Sequence, residues 1–544
     1  MPALLLSFLL LGIPLAAQRA PGNDFIHRDH LKADMQFLAG DGMRGRLTGS
    51  AEYNLAADWI ESRFARMGLE PVSGSSFFHR FDLIVSRLAD GNSLEIGAGD
   101  SRRQGRLRED FYPLIFSPDA VAKAPVKFIG YGIEAPQLAW NDYPEPNAVH
   151  GAIVLILDGE PGANDPKSRF DGVVSSENSN PIRKVLWAQA HGADGVLIVN
   201  PSHRETTRDP FPAAARSIWP DRPPHLERFT LAAYANRIRI PAAQISPALA
   251  EMLTGKSLAD LRQQAEAAPW KAPLRAVHPA SFRVALDRTI VPDRNVVGMI
   301  RGSDPALKNE AIIISGHYDH NGATREQLFA GADDNASGAI ATIEIAEAYM
   351  QAAAKGQKPK RTVIFASWGS EERCCGPLLG AWAWVEDQVW PLEKTVAVLN
   401  MDMIGRSEEV PPNGGSRFNG LSPQTAAQNA NNVNLIGTSY SPDLSKAAGD
   451  ANLFDLGLLR RYDNSRSNHL RRSDQWPFLN RGVPALWFHT GLHPDYHTQY
   501  DRPDRIDYPK MERITRLVHQ LSWNLANSAT RPKMAQPRII PQEP

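Results

Sequence analysis

A chain of 544 residues is long enough for two or three domains and a large buried core. Its 59 basic and 60 acidic side chains nearly cancel, and no basic block is long enough to form a nucleic-acid surface. Hydrophobic residues at 42% and charged residues at 22% describe an ordinary globular protein.

Ala3 to Ala17 form an apolar run ending in small residues, followed by the polar Gln18-Arg19. This pattern predicts a secretory signal over 1–17, although no Lys or Arg precedes the run. The run is shorter than the ~20 residues a spanning helix needs, and no later segment is apolar enough to cross a membrane. The expectation is an exported protein, periplasmic or secreted, with no membrane insertion after signal removal. Cys374 and Cys375 are the two cysteines and are adjacent, so no disulfide framework is expected and stability must come from core burial. They read either as small side chains in a loop or as a strained vicinal disulfide.

From Asp24 to Val72 the chain reads as helical, with Leu55, Trp59, Ile60, Phe64 and Met67 at helical spacing before Gly68. Arg44 to Gly49 reads as a turn, and Arg80–Val85 as a strand, giving 24–112 as the first part of the main domain. The character changes near Pro113. Val126–Gly132 and Ala152–Leu157 read as strands, Ile182–His191 as a helix, and Gly192–Val199 as a turn and strand. No cluster of His and carboxylates occurs between Pro113 and Arg283, so 113–283 reads as an insertion, a lid or docking module. A second α/β region covers 284–528. Within it Asn335–Lys355 is expected to be helical, and Met511, Ile514, Val518, Leu521 and Leu525 form an amphipathic stripe. Residues 529–544 are Pro-rich and read as a disordered tail.

Four strand-like runs of this second region each end in metal-binding residue types. Ala311–Ser315 leads to His317 and Asp319, with Asp333 and Asp334 about a dozen residues on. Thr362–Trp368 leads to Glu371-Glu372, Val396–Met401 to Asp402, and Val483–Phe488 to His493 and His497. Open α/β sheets place their sites at the carboxyl ends of strands. Carboxylates and imidazoles together suit a divalent ion of zinc or cobalt type. Nine candidates stand at this point: His317, Asp319, Asp333, Asp334, Glu371, Glu372, Asp402, His493 and His497. A Glu-Glu pair suits a division of labour, one binding metal and the other left as a general base. Trp368, Trp382 and Trp384 read as core.

His317-x-Asp319, Gly331-x-x-Asp334-Asn-x-Ser-Gly338, Glu371-Glu372, Asn400-Met-Asp402 and Tyr496-His497-Thr498, taken in order, resemble the M28 family of dinuclear zinc aminopeptidases and carboxypeptidases. The Gly45-Arg46 segment resembles that family's opening, and Phe128–Ile133 through Gly195 resembles the protease-associated (PA) domain inserted in many members. The resemblance implies an α/β fold, a mixed central sheet flanked by helices, carrying a β-rich inserted domain. It implies two Zn2+ ions, with cobalt or manganese able to substitute. Asp334 would bridge them, His317 and Asp402 would hold one, and Glu372 and His497 the other. Glu371 would be the catalytic base and acid, and Asp319 the residue that orients His317. The peptide bond after Asp334 is expected to be cis. Two departures stand out: Arg373-Cys-Cys-Gly-Pro377 intervenes before Leu378-Leu-Gly380, and Gln475 stands where related sequences often carry His.

The implied activity is that of an exported exopeptidase, an aminopeptidase acting on peptides. The alternatives are a carboxypeptidase, for which Arg461 and Arg472 could form a cationic pocket, a glutaminyl cyclase, and a non-catalytic binding protein.

Overall fold

Buried β-branched runs build the centre of the molecule. The computed structural model describes residues 19–97, 102–203, 209–372 and 378–535, so the expected signal segment and the Cys374-Cys375 pair lie outside the described residues. Ala311–His317, Thr362–Trp368 and Thr395–Met401 are buried along their whole lengths. Continuous apolar strands of this kind are stable only when both faces of a sheet are covered.

In the central sheet the strand order is Phe229–Leu231, Phe78–Leu88, Leu286–Ile300, Thr362–Trp368, Ala311–His317, Thr395–Met401, Ala485–His489, Asn432–Ile436 and Gly457–Leu459. The four strands from Thr362–Trp368 to Ala485–His489 run parallel. Antiparallel pairs flank them on both sides, so the sheet is mixed.

Helix Gly338–Ala354 is apolar almost all round because it is enclosed. It packs on the sheet and is covered by helices Arg28–Leu38, Ala51–Met67 and Tyr508–Asn527. Met511, Ile514, Val518, Leu521 and Leu525 of the last helix are all buried there. Each such side chain contributes roughly 1.5–3 kcal/mol of burial. Helices Leu379–Asp387 and Gln475–Asn480 cover the other face, with Trp368 and Trp384 in that core. Trp382 is only half-buried.

The region expected to be helical from Asp24 to Val72 is two helices. Residues 39–50 separate them, and Ser50 caps the second by accepting the Tyr53 N–H. Ahead of the expected boundary at 113, Ser93–Ile96 and Arg103–Gly105 already pair into a four-stranded antiparallel sheet with Ala120–Ala124 and Ala280–Val284. A six-stranded sheet follows, with Val126–Phe128, Ile153–Leu157, Gly195–Val199 and Ala242–Ile245 parallel at its centre. Helices Pro181–Ala190, Pro247–Thr254 and Leu258–Ala267 accompany it. Phe229–Leu231, within the expected insertion, instead extends the central sheet by pairing with Phe78–Leu88.

Residues 529–535 stay in contact with the fold rather than leaving it as a tail. Arg531 donates to the Glu393 carbonyl, and the Ala535 N–H to the Tyr440 carbonyl. Among the described residues no helix is long and apolar enough to cross a membrane.

Candidate metal centre

Four adjacent parallel strands deliver their carboxyl ends to one place. His317 ends its strand, Asp402 follows Met401 directly, and Glu371-Glu372 lie just beyond Trp368. His497 lies in the loop after Ala485–His489. The loop carrying Asp334 is held by several partners. Asp501 accepts the N–H of Asp333 at 2.9 Å and of Asp334 at 3.0 Å. The Asn335 amide donates to the Met401 carbonyl at 3.0 Å, and its oxygen accepts from the N–H of Gly338 and of Met403. The Asp334-Asn335 peptide is cis. At Gly338 a Cβ would fall 2.0 Å from the Met401 carbonyl oxygen, so only glycine lets the helix start press against the strand that carries Asp402.

The donors fall into two groups that share Asp334. One is His317, Asp334 and Asp402; the other is His320, Asp334, Glu372 and His497. Within each, the ligand atoms lie within 4.8 Å of one another. The two Asp334 oxygens face different groups: Oδ1 is 3.5 Å from His317 Nε2, and Oδ2 is 2.9 Å from His497 Nε2. His317 Nε2 is also 3.7 Å from Asp402 Oδ2 and from Glu371 Oε2. Its Nδ1 donates to the Asp319 carbonyl at 3.3 Å, which leaves Nε2 as the ligand atom. Buried Nε2 atoms of His317 and His497 have no hydrogen-bond partner among the described residues. Orphaned imidazole nitrogens facing carboxylates fit a divalent ion with N and O ligands.

The charges point the same way. Burial disfavours charge on His317, yet Glu371 and the carboxylates around it hold its proton well above the usual histidine range. His497 is likewise lowered by burial but held up to about 10 by Glu372 and Asp334. Asp334 is kept well below the carboxylate range, against burial, by His317 and His497. The two glutamates are pulled apart. Burial pushes Glu371 well up, with His317 opposing and Glu372, Asp402 and Asp474 adding to the shift. Glu372 is brought down to about 2, where His497 and His320 outweigh burial and Asp334. Protons on imidazoles balance the crowded carboxylates here, a role cations would take over.

The remaining candidates sit beside this cluster. Asp333 and His493 pair with each other, Oδ2 to Nε2 at 3.1 Å, and Asp333 Oδ1 accepts the Gly405 N–H. They belong to neither donor group. The Asp319 carboxylate lies 3.6 Å from His317 Nδ1 and accepts the backbone N–H of Glu371 and Glu372. Asp474 is buried beside Asp402 and His317 without capping its helix. Arg461 is neutralised by the buried Glu408, which removes it from the anticipated cationic pocket. Arg472 donates to the Tyr496 hydroxyl at 3.1 Å.

His320, which the sequence leaves open as either a support for the ligands or a surface residue, is fully buried with Nδ1 2.7 Å from Glu372 Oε1. Its spacing three residues after His317 was the available signal. Ser473, which donates to Asp402 Oδ2, and Asp501 had none, because both reach the site from distant segments.

Residues 295–522 match peptidase family M28. A probable glutamate carboxypeptidase of Arthroderma benhamiae is 34% identical over 116 residues, 21% of this chain and 14% of that protein. The probable glutamate carboxypeptidase AMP1 of Arabidopsis thaliana is 29% identical over 218 residues, 39% of this chain and 26% of that protein. The match thus spans about a quarter or less of these relatives' lengths. Among solved structures, an aminopeptidase from Aneurinibacillus sp. strain AM-1 is 19% identical, covering 96% of this chain and 97% of that one at a TM-score of 0.46.

Proposed function

We propose that this chain is a dinuclear metal exopeptidase of the M28 type, reading it first as an aminopeptidase. The observation that carries the proposal is Asp334, whose two oxygens face two separate donor groups while Glu371 stands outside both. In this reading Asp334 bridges, His317 and Asp402 hold one ion, and Glu372 and His497 hold the other. His320 holds Glu372 by hydrogen bond. The donor set suits zinc, with cobalt or manganese as alternatives. When bound, the ions would supply Lewis-acid polarisation of the scissile carbonyl.

The chain's own residues do the rest. Glu371, buried and raised in pKa, takes the proton of the attacking water and returns it to the departing amine. Asp319 fixes the backbone of the glutamate pair. Tyr496, kept protonated by burial and next to Arg472, is a neutral donor for negative charge developing on the carbonyl oxygen. The inserted module is read as PA-like, and export as the destination of the chain.

A second reading, carboxypeptidase, is favoured by Arg472. Its hydrogen bond to the Tyr496 phenol leaves its charge available for a terminal carboxylate, and the relatives named above are probable glutamate carboxypeptidases. The test is hydrolysis of leucyl-anilide with a free or acetylated amine, with and without chelator. Cleavage of the free form alone, lost with chelator and restored by zinc, supports the aminopeptidase. No cleavage of either form, with release of C-terminal glutamate from blocked peptides, supports the carboxypeptidase. Inertness towards both and cyclisation of N-terminal glutaminyl peptides would replace the exopeptidase reading.

A further inference from the structure

A cleft of ≈ 350 Å³ opens between helix Pro181–Ala190 and the helices Leu379–Asp387 and Gln475–Asn480 that cover one face of the central sheet. Its walls include Trp187, Trp382 and Asn480, and its charged lining includes Arg183 and Arg481. The Arg183 guanidinium lies 5.0 Å from the Trp187 ring centre, and that of Arg481 6.0 Å from the Trp382 ring centre.

The carboxylates near this cleft are already engaged. Glu177 accepts from Arg471 at 2.7 Å, Trp476 at 2.9 Å and Asn180 at 2.9 Å. Glu386 accepts from Tyr234 at 3.1 Å and pairs with Arg237 and Arg481. Four guanidinium groups, Arg183, Arg237, Arg471 and Arg481, therefore face two carboxylates. Arg183 has neither a hydrogen bond nor an ion pair among the described residues. Burial disfavours its charge; Glu177 offsets this in part, and Arg481 adds to it. A half-buried guanidinium in this position lacks the anion that would repay its lost hydration.

We propose that this cleft is a binding site for an acidic side chain of a peptide, with the carboxylate held by Arg183 and Arg481. Indole walls flanking the cations suit a carboxylate on a short carbon stem better than a hydrated inorganic ion. The volume falls within the ~300–1,000 Å³ usual for small-ligand sites. Glu177 ties the cleft to Arg471 and Trp476, which flank Arg472, Ser473 and Asp474 at the metal centre. The site would thus hold a peptide beside the catalytic centre, yet its occupancy does not depend on metal chemistry.

The experiment titrates the full chain, with chelator present, against acetyl-Asp-Glu-amide, whose blocked ends keep it from being an exopeptidase substrate. Tryptophan fluorescence and calorimetry read the binding. Saturable binding is expected, weakened at least tenfold by Arg183→Gln and largely retained by Arg183→Lys, with melting temperatures matched. Acetyl-Asn-Gln-amide should not bind. Equal binding by wild type and Arg183→Gln, equal binding of the neutral peptide, or no saturable binding overturns the site. Displacement of the peptide by sulfate at equal concentration reassigns it to inorganic anions and overturns the peptide.

Discussion

The carboxylate of Asp319 spans the backbone of the glutamate pair: Oδ1 accepts the Glu371 N–H at 3.0 Å, and Oδ2 the Glu372 N–H at 3.2 Å. One buried side chain thereby sets the direction of both glutamates, while its own carbonyl accepts His317 Nδ1. Asp319→Ala leaves two buried N–H groups unpaired and frees the turn. The expected result is a ~10–100-fold loss of kcat with a smaller change in KM, read by steady-state kinetics. Unchanged kcat would show that the turn is held by other contacts.

Glu371 lies in neither donor group. Glu371→Gln should therefore lower kcat by ~10²–10⁴-fold while the dialysed protein keeps its metal. Metal analysis alongside kinetics checks this; loss of bound metal would make Glu371 a ligand instead.

Metal uptake should release protons. His497 is held up to about 10 and is protonated at pH 7, so a cation at Nε2 must displace a proton. Affinity should tighten as pH rises through the neutral range, by ~10-fold per pH unit for each proton released. Calorimetry in buffers of different ionisation enthalpy measures the count, and an affinity flat between pH 6 and 8 would contradict it.

Arg46 is fully buried and donates to the carbonyls of Leu38, Tyr318, Ala330 and Gly331. It ties the first helix to the end of the strand bearing His317 and to the loop before Asp334. Arg46→Met leaves those carbonyls without their donor and removes positive charge beside Asp319 and Asp334. A loss of at least ~3 kcal/mol in urea unfolding is expected.

Lys184 is buried on helix Pro181–Ala190 and donates to the Leu157 carbonyl at 2.8 Å and to that of Gly159. Burial brings its pKa down to about 8 from 10.5, with Asp158, Glu160 and Asp142 opposing. The unfolded chain thus binds more protons between those values, and native stability rises with pH across that window, by up to ~3 kcal/mol. Urea unfolding at pH 7.5 and 10 should show this increment in the wild type relative to Lys184→Met. A difference independent of pH would mean the folded amine stays protonated with its ordinary pKa.

Local pattern alone identified the strands Ala311–His317 and Thr362–Trp368, because an apolar run bounded by polar residues has few other places to go. Motif order, through its resemblance to family M28, implied His317, Asp334, Glu371, Glu372, Asp402 and His497 as one set out of nine candidates. Pairing across long separations left no such mark. Phe229–Leu231 joins Phe78–Leu88, and Ser93–Ile96 joins Ala280–Val284, through backbone hydrogen bonds that any apolar sequence can make. Nor could spacing show that Asp333 would take His493, or that Asp501 would clamp the Asp334 loop. What the sequence determined was the kind of chemistry, carried by residue types in order along the chain. Which carboxylates face inward, and which cations are left without partners, was decided by tertiary packing, because burial and charge balance exist only once distant segments meet.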